Sequence, residues 1–354
     1  MFHSRLARCI GLTLLASLSR PSEAATVEDF YRGKTVNFYV GTGPGGGYDA
    51  TTRLMAMHFG RHVPGNPSFI VRNMPGAGSI PLANFIYNVA AKDGTVIGMP
   101  QNGVAFEPLF KIISKDGGNI QFDPARYNWI GNPVVETMVM FSSASSPFKT
   151  YKDLLSRPMI SGTTGVQTDN ALMPLILTRT LGAQFNLVSG YQGPADLYLA
   201  LERGEIEGIG AVGYSGLVAT KSDWLTEKKI NLLMQFGLKS DARIKHVPMA
   251  IELAQNVEDR QAMELIFGKY RLTRAVFAPP DVPAERVAAL REAFAKMLSD
   301  PAFLDDASRQ GTEIELVTAQ EIEEVIRKAY AAPRAVVERA SMLMSAQTKP
   351  EAKN

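Results

Sequence analysis

One cysteine, four histidines and two tryptophans are all that the 354 residues hold of these types. The cysteine, Cys9, stands inside the first two dozen residues, so the chain beyond them offers no disulfide and no thiol nucleophile. Long hydrophobic runs are missing too. The longest near the N-terminus, CIGLTLLASLS, has eleven residues, short of the roughly 18 that suggest a membrane span. Charge of one sign is also lacking. Without Arg5, Arg8, Arg20 and Glu23, 34 of the 37 basic and 34 of the 35 acidic side chains remain. A neutral body gives no electrostatic footprint for nucleic acid or an anionic membrane. With so few histidines and no Ser-His-Asp layout, a nucleophilic triad has no support.

What is present begins with a three-part leader. A basic start, MFHSRLAR, precedes the apolar run, and Ser22 and Ala24 are small residues before a cut after Ala24. This is the layout of a secretory signal peptide over 1–24. Cys9 precedes the apolar run rather than following it, which argues against a lipid anchor. The expectation is a soluble, extracytoplasmic protein in the periplasm. A 45% hydrophobic and 20% charged composition fits a folded globular chain, and the length suits two domains.

From residue 35 the pattern is strand, glycine-rich turn, helix, repeated. TVNFYV (35–40), SFIV (68–71) and TVIGM (95–99) read as strands, with helices over 49–62 and 80–90. Such alternation implies an α/β fold, each lobe a mostly parallel sheet flanked by helices. Near 129–150 the chain crosses into a second region with a helix near 150–156, and NLLMQFG (231–237) reads as the returning strand. The tail is helical. Thr318 and Glu321 form a capping box, and Val287, Leu290, Phe294 and Met297 mark one helix face. Domain I is therefore expected at 25–132 and 238–354, with domain II, 133–237, inserted and a ligand cleft between the lobes.

Gly41-Thr-Gly43-Pro-Gly45-Gly46 matches G-x-G-x-x-G between a strand and a helix. The next strand ends in Arg72 and Asn73, with no acid for a ribose, which counts against a dinucleotide. The physics of the motif survives: glycines let a backbone approach a ligand, and helix-start N–H groups favour an anion. The device recurs at Pro75 to Ser79 and at Gly162 to Thr168. Candidate ligand-binding residues are Gly45, Gly46, Gly47, Tyr48, Asp49, Ala77, Gly78, Ser79, Gln101, Asn102, Thr163, Thr164, Gln167, Thr168 and Tyr191. A hydrogen bond to a charged group contributes about 1.5–3 kcal/mol and a helix start about 0.3–1 kcal/mol. Four or five such contacts would hold a carboxylate without an arginine. His58 and His62 share a helix face but lack a third ligand, and Ser146-Pro-Phe-Lys149 lacks the partner motifs of an S-x-x-K enzyme. Trp129 and Trp224 read as packing residues. No catalytic residue, metal or cofactor is expected.

Three segments carry a family resemblance: Pro44 to Asp49 (Pro-Gly-Gly-Gly-Tyr-Asp), Asn73 to Gly78 (Asn-Met-Pro-Gly-Ala-Gly) and Lys92 to Thr95 (Lys-Asp-Gly-Thr). With GYQGPADLYLALERGEIEG and FAPPDVPAERVAALREAF, the chain resembles the substrate-binding proteins of tripartite tricarboxylate transporters, the TctC or Bug family. It departs at Gly41-Thr42-Gly43, where such proteins more often show Pro-Phe-Pro. The resemblance implies a two-lobed periplasmic binding protein of the class II, Venus-flytrap type. It would be a monomer that closes on a small organic acid and delivers it to a permease with a large and a small subunit. A periplasmic sensor feeding a two-component system, and less readily a secreted hydrolase, remain open on the sequence.

Overall fold

The computed structural model describes residues 26–111, 119–166 and 168–345. The leader at 1–24 and Gln167 lie outside the described residues. The first lobe opens with α1 (Val27–Tyr31), whose N-cap Thr26 hydroxyl accepts the Asp29 N–H. Strand β1 (Thr35–Val40) alternates, so Val36, Phe38 and Val40 are fully buried while the positions between them are not. It feeds α2 (Gly47–Phe59), then β2 (Ser68–Asn73), α3 (Ile80–Asn88), β3 (Val96–Met99), α4 (Glu107–Phe110) and β4 (Asn128–Asn132). Strand β1 lies parallel to both β2 and β3.

The second sheet is built from β5 (Met138–Ser143), β6 (Met159–Thr163), α5 (Asp169–Leu181), β7 (Phe185–Ser189), α6 (Pro194–Glu202), β8 (Gly208–Gly213), α7 (Tyr214–Thr226) and β9 (Ile230–Phe236). Its order is β7-β6-β8-β5-β9. The helix expected near 150–156 is a 3-10 turn, Tyr151–Leu155, closed by a Thr150–Asp153 capping box. Pro174 sits inside α5 and presses on β8: a Cβ at Gly210 would lie 2.4 Å from Pro174 Cγ, so only glycine fits there.

The chain then returns through α8 (Val257–Phe267), β10 (Val276–Ala278), α9 (Ala284–Leu298), α10 (Pro301–Arg309), β11 (Val317–Thr318), α11 (Ala319–Tyr330) and α12 (Arg334–Met344). The first sheet becomes β11-β4-β10-β3-β1-β2, with β10 antiparallel between β3 and β4. Both sheets are thus mixed. Strand–turn–helix units supply the parallel halves, whereas β5, β9 and β10 join their neighbours antiparallel. The Thr318–Glu321 box forms as expected, and Val287, Leu290, Phe294 and Met297 are all buried. Helix α12 packs on α8 and α5, and Arg179 of α5 donates to the Leu343 and Ser345 carbonyls at 2.7 and 2.6 Å. One apolar cluster joins Trp129 and Phe277 of the first sheet to Met140 and Phe236 of the second. Trp224 is buried in a separate cluster under α6 and α7, so both tryptophans are packing residues.

Candidate functional site

Two hollows open between the sheets. The wider, about 1280 Å³, has α2 as one wall (Gly47, Leu54, Met57) and α6 and α7 as the other (Tyr198, Leu199, Ser215), with Glu136 and Arg274 also at its border. The narrower, about 390 Å³, is lined by Tyr48, Gly78, Gln101, Asn102, Thr168 and Lys269. Asp169 borders both. Six of the sequence-predicted residues are therefore brought to the hollows: Gly47, Tyr48, Gly78, Gln101, Asn102 and Thr168.

The other described ones line neither hollow. Asp49 accepts the Gly45 N–H at 2.9 Å, Arg53 Nε at 2.9 Å and Asn73 Nδ2 at 2.8 Å. The Arg53 side chain, with these N–H donors, holds its carboxyl down at about 2 despite burial. Both oxygens are spent inside the protein, so Asp49 is a brace rather than a ligand contact. Gly45, at φ +84°, bends the chain so that Gly46 caps α2 with no side chain over the helix start. Ser79 is fully buried. Its hydroxyl donates to the Gly41 carbonyl at 2.9 Å and accepts the Gln101 N–H at 3.0 Å, tying two turns together. Ala77 is exposed and lines neither hollow.

The turn after β6 closes on itself. Asn170 Oδ1 accepts the Thr164 N–H at 3.1 Å and the Thr168 hydroxyl at 2.5 Å, and Thr163 Oγ1 accepts the Gly165 N–H at 3.2 Å. Thr163 and Thr164 are thereby committed within the loop. Tyr191 packs over Gly162, where a Cβ would meet its ring at 3.1 Å, and lines neither hollow.

Sequence reasoning missed the charged groups. Arg274 stands just before β10, where its backbone N–H donates to Asn132 Oδ1 at 2.8 Å. Its guanidinium lies over the Tyr48 ring, 5.1 Å from the centroid, and a Cβ on Gly47 would come within 3.3 Å of it. Arg274 Nε is buried without a hydrogen-bond partner. The sequence reading did not single out Arg274: more than 220 residues separate it from the glycine turn, and the antiparallel insertion of β10 brings the two together. Glu136, in the segment before β5, accepts the Ser215 N–H at 3.2 Å at the start of α7. Burial pushes its carboxyl up, against the opposing pull of that N–H, Arg274 and Arg243. Asp169 pairs with Lys269 at 2.6 Å across the narrow hollow. Burial likewise raises the Tyr48 phenol, whose oxygen accepts the Asn102 N–H at 3.2 Å, while Arg274 lowers it.

A profile described as tripartite tricarboxylate transporter family receptor, TctC, matches residues 61–342. The chain belongs to this family. Its fold matches a TctC solute-binding protein from Polaromonas at TM-score 0.66 and 19% identity, covering 89% of this chain and 99% of that one. MatC from Rhodopseudomonas palustris, solved with bound malate, matches at 0.56 and 17%, covering 88% and 99%. A further R. palustris protein, solved with adipate, matches at 0.57 and 18%, covering 88% and 97%. No curated protein matches.

The family's members are solute-binding receptors, and the enzyme-like features of this TctC chain have structural tasks. His58 Nε2 lies 2.8 Å from Asp306 and His62 Nε2 2.9 Å from Asp300, which clamps α2 against α10. Among the described residues no group of three or more His, Cys, Asp or Glu is placed to hold a metal. Ser146 Oγ accepts the Phe148 N–H, and Lys149 Nζ donates to the Ala144 carbonyl, so the S-x-x-K residues serve a loop.

Proposed function

We propose that this TctC receptor captures a small organic acid, held through a carboxylate, by closing its lobes over the interlobe cleft. It then delivers the acid to a tripartite tricarboxylate permease with a large and a small subunit. One observation carries the reading: the wide hollow takes one wall from the glycine start of α2 in the first sheet's half and the other from the starts of α6 and α7 in the second. Helix starts carry partial positive charge, so the cleft favours an anion from two sides, although the Ser215 N–H at the α7 start is already taken by Glu136. That structural neighbours were solved with malate and adipate supports the carboxylate. The division into 25–132 with 238–354, and 133–237, places the hinge at the two crossings, where closure narrows both hollows. Gly47, Tyr48, Gly78, Gln101, Asn102 and Thr168 are the backbone and side-chain contacts in this reading. The protein acts in the periplasm as a monomer after loss of residues 1–24.

The test is calorimetry and thermal shift on the mature protein stripped of bound solute, against a wide carboxylate panel. One or a few acids should give heat and raise Tm. A panel without any response would remove the carboxylate assignment.

A further inference from the structure

We propose that Arg274 is the anion anchor of the wide hollow and that the solute is a monocarboxylate with an apolar body, its acid at Arg274 and its body between α2 and α6. This deepens the receptor reading and rests on it.

Three cations border the wide hollow: Arg53, Lys221 and Arg274. Arg53 is paired with Asp49 at 2.9 Å and Lys221 with Glu202 at 2.6 Å. Arg274 has no ion pair within 4.0 Å among the described residues, and its Nε has no hydrogen-bond partner although buried. Glu136 acts on this guanidinium only from beyond 4.0 Å and leaves its buried Nε without an acceptor, and a carboxylate offers the planar, bidentate acceptor that matches its fork. The group is also held in place. Its backbone N–H is fixed by Asn132, and its guanidinium carbon lies over the ring of Tyr48, whose own hydroxyl accepts the Asn102 N–H. Stacking of this kind orders an arginine in advance of its ligand. Gly47, with no Cβ, leaves the space between the α2 start and the guanidinium open.

Away from Arg274 the walls turn apolar. Leu54 and Met57 come from α2, Leu199 from α6, Val134 from the segment between the sheets and Met138 from the start of β5. Met57 is 67% and Leu199 43% exposed, and both face the same hollow from opposite lobes. An apolar ligand body between them would cover both, which a four-carbon hydroxyacid is too small and too polar to do. The about 1280 Å³ of space exceeds the range of roughly 300–1,000 Å³ usual for small-molecule sites, so a larger body fits before closure. Glu136 borders the same hollow. A second carboxylate on the solute would meet that acid, so mono-acids are favoured over di-acids.

The experiment is calorimetry of stripped mature protein with phenylacetate and octanoate on one arm and malate, adipate and citrate on the other. At least one apolar mono-acid should bind more tightly than every di- or tri-acid, and the two mono-acids separate aromatic from aliphatic bodies. Arg274→Gln should weaken that mono-acid roughly tenfold to a hundredfold, with Arg274→Lys between it and the native protein. If Arg274→Gln does not fold, the neutral amide of the same acid, added to the native protein, reports the same loss. Preference for malate, adipate or citrate would overturn the inference and leave the receptor reading intact. So would an affinity unchanged by Arg274→Gln, or an amide as tight as its acid. Silence from every acid would overturn both.

Discussion

The turn between β1 and α2 and the turn between β6 and α5 look alike as sequence. Each is rich in Gly or Thr, follows a strand and opens a helix. In the folded chain they differ in what they leave free. The first is braced from one turn along its own helix by Asp49, and its Gly46–Gly47 backbone stays uncovered beside Arg274. The second is filled from within, since Asn170 Oδ1 and Thr163 Oγ1 take up the Thr164 and Gly165 amides. A glycine turn at a helix start is an anion cradle only when its own side chains do not already occupy it. Composition alone does not separate the two cases; the position of the bracing acceptor does.

The largest effect that tests this contrast is expected from the first glycine of each turn. A Cβ on Gly41 would stand 2.1 Å from Ser79 Oγ and 2.6 Å from Ser79 Cβ, atoms held by two hydrogen bonds and a backbone at φ +74°. A Cβ on Gly162 meets side chains rather than a strained backbone: Leu197 Cδ2 at 2.6 Å, Ile206 Cδ1 at 2.9 Å and the Tyr191 ring at 3.1 Å, of which the two aliphatic ends are the softer. Gly41→Ala should cost about 3 kcal/mol and Gly162→Ala about 1–2 kcal/mol, read from urea midpoints at constant slope. Equal costs would mean that the first turn is no more tightly tied than the second. Next in size is Asn170→Ala, which leaves the Thr164 N–H without its acceptor and should cost about 1–2 kcal/mol in the same assay. A neutral result would show that water replaces Asn170 and that the second turn is open after all.

Much of the architecture was legible because it follows local chemistry. The alternation of β1, the capping box at Thr318 and the apolar stripe of α9 each satisfy a rule within a dozen residues. The mixed character of the sheets was not, because β10 has three residues and enters beside β3 from more than 170 residues away. The same long-range step hid the charged group beside the α2 start. Gly47 and Asn102 are readable from glycine turns and strand ends, whereas Arg274 has no local motif and becomes meaningful only when Tyr48 lies beneath it. Ser79, Thr163 and Thr164 show what a turn's composition does not tell: their hydroxyls are engaged by the turns themselves.

The smallest effects come from two carboxyls with opposite pH signatures, one bracing the first glycine turn and one at the border of the wide hollow. Asp49 is held at about 2, below its ordinary 3.8, chiefly by Arg53. Its contribution is present above the unfolded value near 3.8 and is lost as pH falls through about 2, so Asp49→Asn should destabilise at pH 7 and be nearly silent near pH 2. Glu136 is raised above 4.5 by burial. Its protonated form favours the folded state in acid, and that advantage is lost as pH rises through the raised value. Glu136→Gln retains an oxygen for the Ser215 N–H and removes the buried charge, so it should raise Tm at pH 7 and lose that effect below pH 4.5. Melting curves of both variants across pH 2–8 decide the matter: curves that converge with the native protein's at low pH from opposite sides support the contrast, and a Glu136→Gln protein less stable than native at pH 7 would show that Arg274 and Arg243 already compensate the buried carboxylate.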